Sequence, residues 1–375
     1  MNHLRRFVIV CGATKEQLRG DLMESVAYVK PDRAMATIRL VDDILPIEGA
    51  DAIEVAVVGG WKVVVKKGEF VKNSMAIYFE IDSFIPSTVA PFLTKPGHFP
   101  KEFNRIQGDR LKTIKLRGQI SQGLLLPLQA APANIFYVIS HNNSFVPVTI
   151  GDDVSEVLQI QKWEKPEEFR ATNAKGSFPH FLRKTDQERV QNLSEKFEND
   201  FQKIEWEVTE KLDGSSMTVY VNGDTAGVCS RNLELKNEGG AFWDTANRLN
   251  IVENMRKAFP TSNYAVQGEL CGTGIQGNKY KFDNFRFFVY DVFDIDAQEY
   301  VSPHVAHSIA KLCGLEYVPI IKTRANVCAT MQEQIEFADG VSALTDTPRE
   351  GLVYKSNSGQ ESFKVISNKW LLKNE

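Results

Sequence analysis

The sequence predicts two domains, a small all-β barrel followed by an α+β domain, on three observations. At 375 residues and 43% hydrophobic composition the chain exceeds ordinary single-domain size and has ample material for cores. From Met35 to about residue 127, short Val- and Ile-rich runs are punctuated by glycine, the pattern of closely spaced strands and turns. Beyond residue 205 strands resume, now alternating with helical stretches.

The elements follow in order. Residues 1–34 hold one short apolar patch, Phe7 to Cys11, too short for the core of a signal peptide, and read as an extension of unknown role that the fold does not need. In residues 35–165, the run 36–40 alternates. The run 53–58 leads through Gly59-Gly60 into 61–65 as a hairpin, and 75–81, 110–116 and 124–127 supply further strands. Short strands of this kind suggest a closed barrel, with the oligonucleotide-binding (OB) fold as the expected member. In it, Ile114 and Leu116 are expected to face inward while Lys115 and Arg117 face solvent. Residues 163–177 turn charged and small and read as a linker. Residues 166–375 then form the second domain. Residues 184–193 read as a helix, with Thr185 as N-cap and Glu188 closing a capping box. Trp206 and Val208 alternate with Glu207 and Thr209, which puts Lys211 at a strand end. Asn222-Gly223 makes a turn, and helices are expected within 238–259 and 302–313.

Composition excludes some classes. No run of 18 apolar residues occurs, so a membrane span is not expected. Five scattered cysteines without CxxC spacing argue against a disulfide framework or a zinc site and for a reducing, intracellular compartment. Net charge is −4, but it is unevenly spread. Residues 33–130 hold 13 Lys and Arg against 10 Asp and Glu, whereas residues 131–375 hold 26 against 34. A basic first half joined to an acidic second half fits a polyanion-binding module beside a metal-using site.

The chemistry centres on Glu210-Lys211-Leu212-Asp213-Gly214, a lysine followed by a carboxylate and a glycine. A lysine nucleophile must lose its proton, which at neutral pH costs about 4–5 kcal/mol unless neighbours lower its pKa. Asp213 would hold a metal's hydration shell or a ribose, and Gly214 would let backbone approach phosphate. Downstream, Ser230-Arg231 offers a planar fork for phosphate. Gly268-Glu269 and Glu350-Gly351 place carboxylates at glycine steps, suited to Mg²⁺ or Mn²⁺. Phe287, Phe288 and Tyr290 lie on an aromatic strand from which Phe287 or Phe288 is expected to stack on a purine. Lys355 and Lys364 would stabilise charge as pyrophosphate leaves. In the barrel, Lys62, Lys66, Lys67, Lys115 and Arg117, with Trp61 and Phe70 nearby, offer cation and stacking contacts for a nucleic acid.

On these residues, and on segments such as Leu45-Pro46-Ile47-Glu48-Gly49, Trp61-Lys62-Val63-Val64-Val65-Lys66-Lys67 and Lys115-Leu116-Arg117-Gly118-Gln119, the chain resembles the covalent nucleotidyltransferases. That superfamily comprises DNA ligases, RNA ligases and capping enzymes. The match is closest to RNA ligases with an N-terminal OB domain, the Deinococcus/Naegleria type. The resemblance implies an all-β OB-like barrel followed by an α+β nucleotidyltransferase (ligase/capping enzyme) domain. It implies Lys211 as the adenylated nucleophile, Asp213, Glu269 and Glu350 around the metal, and Lys364 on phosphate. Glu210, Gly214, Arg189, Arg231, Phe287, Phe288, Lys355 and Lys369 complete the nucleotide-binding candidates. Relatives often carry K-x-K in the last motif; here Ile366 stands second, leaving Lys369 as the candidate replacement.

The implied reaction uses ATP and Mg²⁺ or Mn²⁺ to join RNA 3′-hydroxyl and 5′-phosphate ends, at nicks in duplexes, by a monomer. Two alternatives remain at this point, a GTP-using capping guanylyltransferase and a noncatalytic RNA-binding protein with an inactive fold. Only eleven residues follow Lys364, too few for the further OB domain that capping enzymes attach there.

Overall fold

The computed structural model describes residues 7–10, 33–130, 135–139, 145–164 and 173–374. The chain forms two compact units, Met1–Pro166 and Glu167–Asn374. Among the described residues no helix is long and apolar enough to cross a membrane.

The first unit is built from short antiparallel strands. Met75–Phe79 lies between Ala36–Leu40 and Leu124–Pro127, and Ile53–Val58 between Asp43–Pro46 and Trp61–Lys66. The expected Gly59-Gly60 hairpin is present, with Val58 opposite Trp61 and Gly59 at φ 56°. A four-stranded sheet runs Gln161–Lys162, Ser83–Pro86, Ile106–Arg110, Lys101–Phe103. Ile38, Ile77, Phe79, Ile85, Leu126, Val154 and Ile160 form the core. Ser155 Oγ ties its edge by accepting the N–H groups of Met35 and Ala36, each at 2.9 Å. The apolar patch near the N-terminus is a strand, Phe7–Val10, paired antiparallel with Ile135–Ile139.

Three expectations fail here. Ile114 and Leu116 do not face inward. They sit on a separate two-stranded hairpin, Ile114–Leu116 with Gln119–Ser121, and are 47% and 38% exposed. The hairpin is anchored to the barrel by its other strand, where Val64 N–H donates to Ser121 Oγ at 2.9 Å, and this leaves Ile114 and Leu116 on the open strand. The 110–116 run is interrupted, its first part ending the Ile106–Arg110 strand. Trp61 and Phe70 are 2% and 5% exposed, so they are core rings rather than stacking surfaces.

In the second unit one large sheet is ordered Ala174–Ser177, Leu233–Leu235, Thr225–Cys229, Ser215–Asn222, Tyr264–Cys271, Arg286–Asp294, Glu299–Tyr300, with Glu316–Tyr317 parallel to Arg286–Asp294. A five-stranded sheet is ordered Glu188–Arg189, Ser362–Ile366, Gly351–Ser356, Trp206–Lys211, Ile320–Ala325. The helices Ala241–Arg248, Ile251–Ala258 and Pro303–Leu312 cover one face of the large sheet, burying Met217, Val219, Val266, Phe287 and Val289. The short helix Ser194–Asn199 and Met331–Ala338 cover the smaller sheet over Trp206, Val208, Leu352, Tyr354 and Phe363.

Two readings of local structure are corrected. Residues 184–193 are not one helix. Glu188–Arg189 is a strand parallel to Ser362–Ile366, followed by a 3-10 turn, and the Thr185 hydroxyl bonds Tyr290 instead of capping. The sheet supplies partners for these backbone groups that outcompete a local cap. The linker expectation falls partly on residues 165–172, outside the described residues. Its last part, Ala174–Ser177, is the edge strand of the large sheet.

Candidate active site

The Trp206–Lys211 strand pairs with Gly351–Ser356 so that Lys211 lies opposite Gly351. That register brings Glu350, one residue before, against the lysine, and both carboxylate oxygens lie 2.8 Å from Lys211 Nζ. Gly351 has to be glycine, because a Cβ there would meet Val365 O at 2.2 Å. Leu212-Asp213-Gly214 then crosses from the smaller sheet to the larger, where Ser216 pairs with Glu269.

At this crossing Gly214 N–H donates to Glu269 Oε1 at 2.9 Å. A Cβ on Gly214 would lie 2.4 Å from Leu270 O, so the glycine is needed for contact with the neighbouring strand. Asp213 N–H donates to Tyr280 OH at 2.8 Å, and its carboxylate is ion-paired with Lys279. Lys279 also lies over the Trp370 ring, 4.5 Å from its centre. Neither Lys279 nor Tyr280 was among the sequence candidates. They sit in a loop whose composition gives no period to read.

Electrostatics tie the acids to the lysine. Burial pushes the Lys211 pKa down, but Glu350, Glu269 and Asp213 together outweigh it, and the net shift is upward. Glu269 is pushed up to about 8, first by burial and then by its neighbours Glu350 and Asp213. Glu350 is raised as well, chiefly by burial. Lys211, Asp213, Glu269 and Glu350 therefore form one coupled group.

The phosphate candidates are placed differently. Lys364 and Arg189 are parallel-strand partners, and Lys364 acts on Glu350 while pairing with Asp186 at 2.9 Å. Arg231 reaches the same Asp186 at 3.5 Å. Lys355 is buried against Asp291 at 2.6 Å and also donates to the Tyr290 carbonyl. Lys369 is not brought into the group. Its side chain is 76% exposed and lies 3.7 Å from Asp339.

Two candidates point away. Glu210 alternates with Lys211 and faces the helix-covered side, where its carboxylate accepts from Ala343 N–H at 2.7 Å and burial raises its pKa. Phe287 is packed in the core beneath the helices. Phe288, opposite Glu269, lies on the site face among Leu212, Cys271, Tyr280 and Val318. Tyr290 joins that face through Ser216 Oγ at 3.0 Å, its pKa pushed up to about 12 by burial and by Glu269. The barrel lysines Lys66, Lys67 and Lys115, with Arg117, are exposed, and Lys62 is half-buried.

Among the described residues no three Asp, Glu, His or Cys side chains converge tightly enough to hold an ion by themselves. The crowding of carboxylates around one lysine still fits a hard divalent cation that keeps part of its water shell. Asp213, Glu269 and Glu350 are the residues that would hold it.

Comparison with known proteins identifies the family of both domains. A family model of RNA ligases matches residues 204–369, and an OB-fold domain model matches residues 35–128. No curated protein matches significantly. Among solved structures, a lysine-to-alanine mutant of Naegleria gruberi RNA ligase with ATP and Mn is 41% identical, with TM-score 0.81, covering 90% of this chain and 98% of that one. A glutamate-to-alanine mutant of the same ligase with AMP and Mn is 41% identical with TM-score 0.81, covering 91% and 99%. That ligase with PPi is 40% identical with TM-score 0.80, covering 91% and 98%. With both domains matched and the similarity running through nearly the whole chain, this protein belongs to the RNA ligase family.

Proposed function

We propose that the protein is an ATP-dependent RNA ligase that seals 3′-hydroxyl and 5′-phosphate ends at nicks in duplexes, through a lysyl-adenylate on Lys211. The observation that carries this reading is the placement of Lys211 among Asp213, Glu269 and Glu350. The likeness to ligase structures holding ATP, AMP or PPi supports it.

In the first step Lys211 Nζ attacks the α-phosphorus of ATP. Nζ first passes its proton to water; its lone pair then forms the P–N bond, and the bond to pyrophosphate breaks with the electron pair leaving on pyrophosphate. Glu350 aims Nζ and holds it charged until then. A divalent cation held by the carboxylates would neutralise phosphate charge and weaken their grip on the lysine's proton. Lys364 and Arg231, released from Asp186, would take phosphate oxygens. Phe288, packed against Leu212, Cys271 and Tyr280, would shape the purine pocket from behind its lining. Lys355, locked to Asp291, braces the Tyr290 strand. In the second step an oxygen of the RNA 5′-phosphate attacks the adenylate phosphorus, the P–N bond breaks and Lys211 is restored. In the third the 3′-hydroxyl attacks the activated 5′-phosphorus and AMP leaves.

The test is sealing of a labelled nicked duplex. With ATP and Mn²⁺ or Mg²⁺, a nick bounded by an RNA 3′-hydroxyl should give a full-length strand on a denaturing gel. The same nick with a deoxyribose 3′ end, or GTP in place of ATP, should give little. Equal sealing of an all-DNA nick would overturn the substrate assignment.

A further inference from the structure

The first unit carries an aromatic feature that its strand-borne lysines do not explain. Between the Ser83–Pro86 and Lys101–Phe103 strands runs the sequence Pro91-Phe92-Leu93-Thr94-Lys95-Pro96-Gly97-His98-Phe99-Pro100. Phe99 is 94% exposed and Phe92 61% exposed. They are the only exposed phenylalanines among the described residues, whereas Trp61, Phe70, Tyr78, Phe79 and Phe84 of the same unit are buried.

Slack chain does not account for this exposure. Three prolines restrict the backbone, and turns are closed by Thr94 N–H to Pro91 O at 3.3 Å and His98 N–H to Lys95 O at 3.0 Å. The Thr94 hydroxyl bonds the Asp109 carboxylate, and Phe103 packs on Phe84 at 5.2 Å, fixing the loop's end to the core. A braced loop that holds two phenyl rings out in water presents them to something.

The charges along the same stretch of chain say what. Lys95, Lys101 and Arg105 are exposed on the same stretch, with Glu102 the one acid between residues 91 and 106. Arg105 sits in the two-residue turn between Lys101–Phe103 and Ile106–Arg110, where Asn104 and Arg105 take φ of 48° and 65°. Exposed aromatic rings alternating along the chain with cations suit stacked bases and their phosphates, without sequence preference.

Building on the RNA ligase reading, we propose that the loop of residues 91–105 is a base-stacking platform for an unpaired or frayed RNA strand. Phe99 is its principal ring and Phe92 a second, with Lys95, Lys101 and Arg105 on the phosphates. It is a contact separate from the strand lysines and hairpin already considered.

The test measures anisotropy of fluorescein-labelled single-stranded RNA, and of nicked duplex, as a function of full-length protein. Phe99→Ala and Phe99→Leu should each weaken binding of the single strand by about 5- to 100-fold, while Phe99→Tyr keeps it, because a leucine restores apolar area but not a stacking face. Lys95→Ala with Lys101→Ala should reduce the log–log salt slope by about 1 to 2. All these surface variants should label from ATP like wild type in the absence of RNA. Unchanged RNA binding in the Phe92→Ala/Phe99→Ala double variant would overturn the proposal. So would a wild-type dimer, seen by light scattering, that this variant dissolves, since the rings would then serve a second copy of the chain. Failure of wild type to label from ATP would sink the ligase reading and leave the binding result standing.

Discussion

Lys211 and Glu350 are 139 positions apart, yet the Glu350 carboxylate lies 2.8 Å from the lysine's amine. Strand register alone accounts for this, since Lys211 faces Gly351 across the ladder. The pair sits at the rim of a small sheet, with the lysine side chain 29% exposed and the glutamate 11%. Glu350→Ala should therefore cost about 1.5–3 kcal/mol of stability, while label transfer from ATP falls by two orders of magnitude or more. Thermal melts beside transfer rates check both numbers, and a variant that melts early but labels normally would make Glu350 merely structural.

Metal-free stability should fall with rising pH. Glu269 binds its proton up to about pH 8 in the fold, against about 4.5 when unfolded, and Glu350 is shifted in the same direction. The folded state thus holds more protons, so the contribution is full below about pH 4.5 and is lost as pH rises towards 8. Lys211, raised above its ordinary value, stays charged throughout this window. Melting in EDTA between pH 5 and 8.5 should show the decline. Glu269→Gln should flatten it, and Mn²⁺ should offset it at the upper end.

Glu210 should prove dispensable for chemistry. Its carboxylate is turned to the helix-covered side and accepts from Ala343 N–H. Glu210→Gln keeps an acceptor and removes a buried charge, so label transfer should persist at unchanged or higher stability. Glu210→Ala leaves the Ala343 N–H unsatisfied and should cost about 1–3 kcal/mol. Loss of labelling in the glutamine variant would place Glu210 in the site after all.

Lys279 is ion-paired with Asp213 and would compete with a divalent cation bound there. Lys279→Ala should lower the Mn²⁺ concentration needed for half-maximal labelling severalfold. A metal titration reads this directly, and a rise would mean that Lys279 acts on ATP instead.

The two adjacent phenylalanines should separate. Both are 1% exposed, and cutting either to alanine should cost about 3–5 kcal/mol. Only Phe288 shares the face of Glu269, so Phe288→Leu should raise the KM for ATP while Phe287→Leu leaves it alone.

How far the sequence could be read follows from these residues. The strand end at Lys211 and the carboxylates at Glu269 and Glu350 were legible, because alternation and glycine steps are local signals that sheet register then assembles. Faces within a motif were less so. Glu210 and Phe287 fall on the buried side, which period-2 patterning indicates only once it is known which side the helices cover. Thr185 and Glu188 imitate a capping box, but a strand partner in Ser362–Ile366 competes for the same stretch. Lys279, Tyr280 and Asp186 enter through loops, and Lys369 leaves through its pairing with Asp339. Nothing in a linear sequence gives those distances.

The most direct measurement is transfer of label from α-labelled ATP to the protein in Mg²⁺ or Mn²⁺, resolved by denaturing electrophoresis for wild type and Lys211→Ala. Wild type should give a labelled band, absent from the variant, that is chased by 5′-phosphorylated RNA and does not form from GTP. A band that survives in Lys211→Ala, or wild type that takes label only from GTP, would contradict a lysyl-adenylate on Lys211.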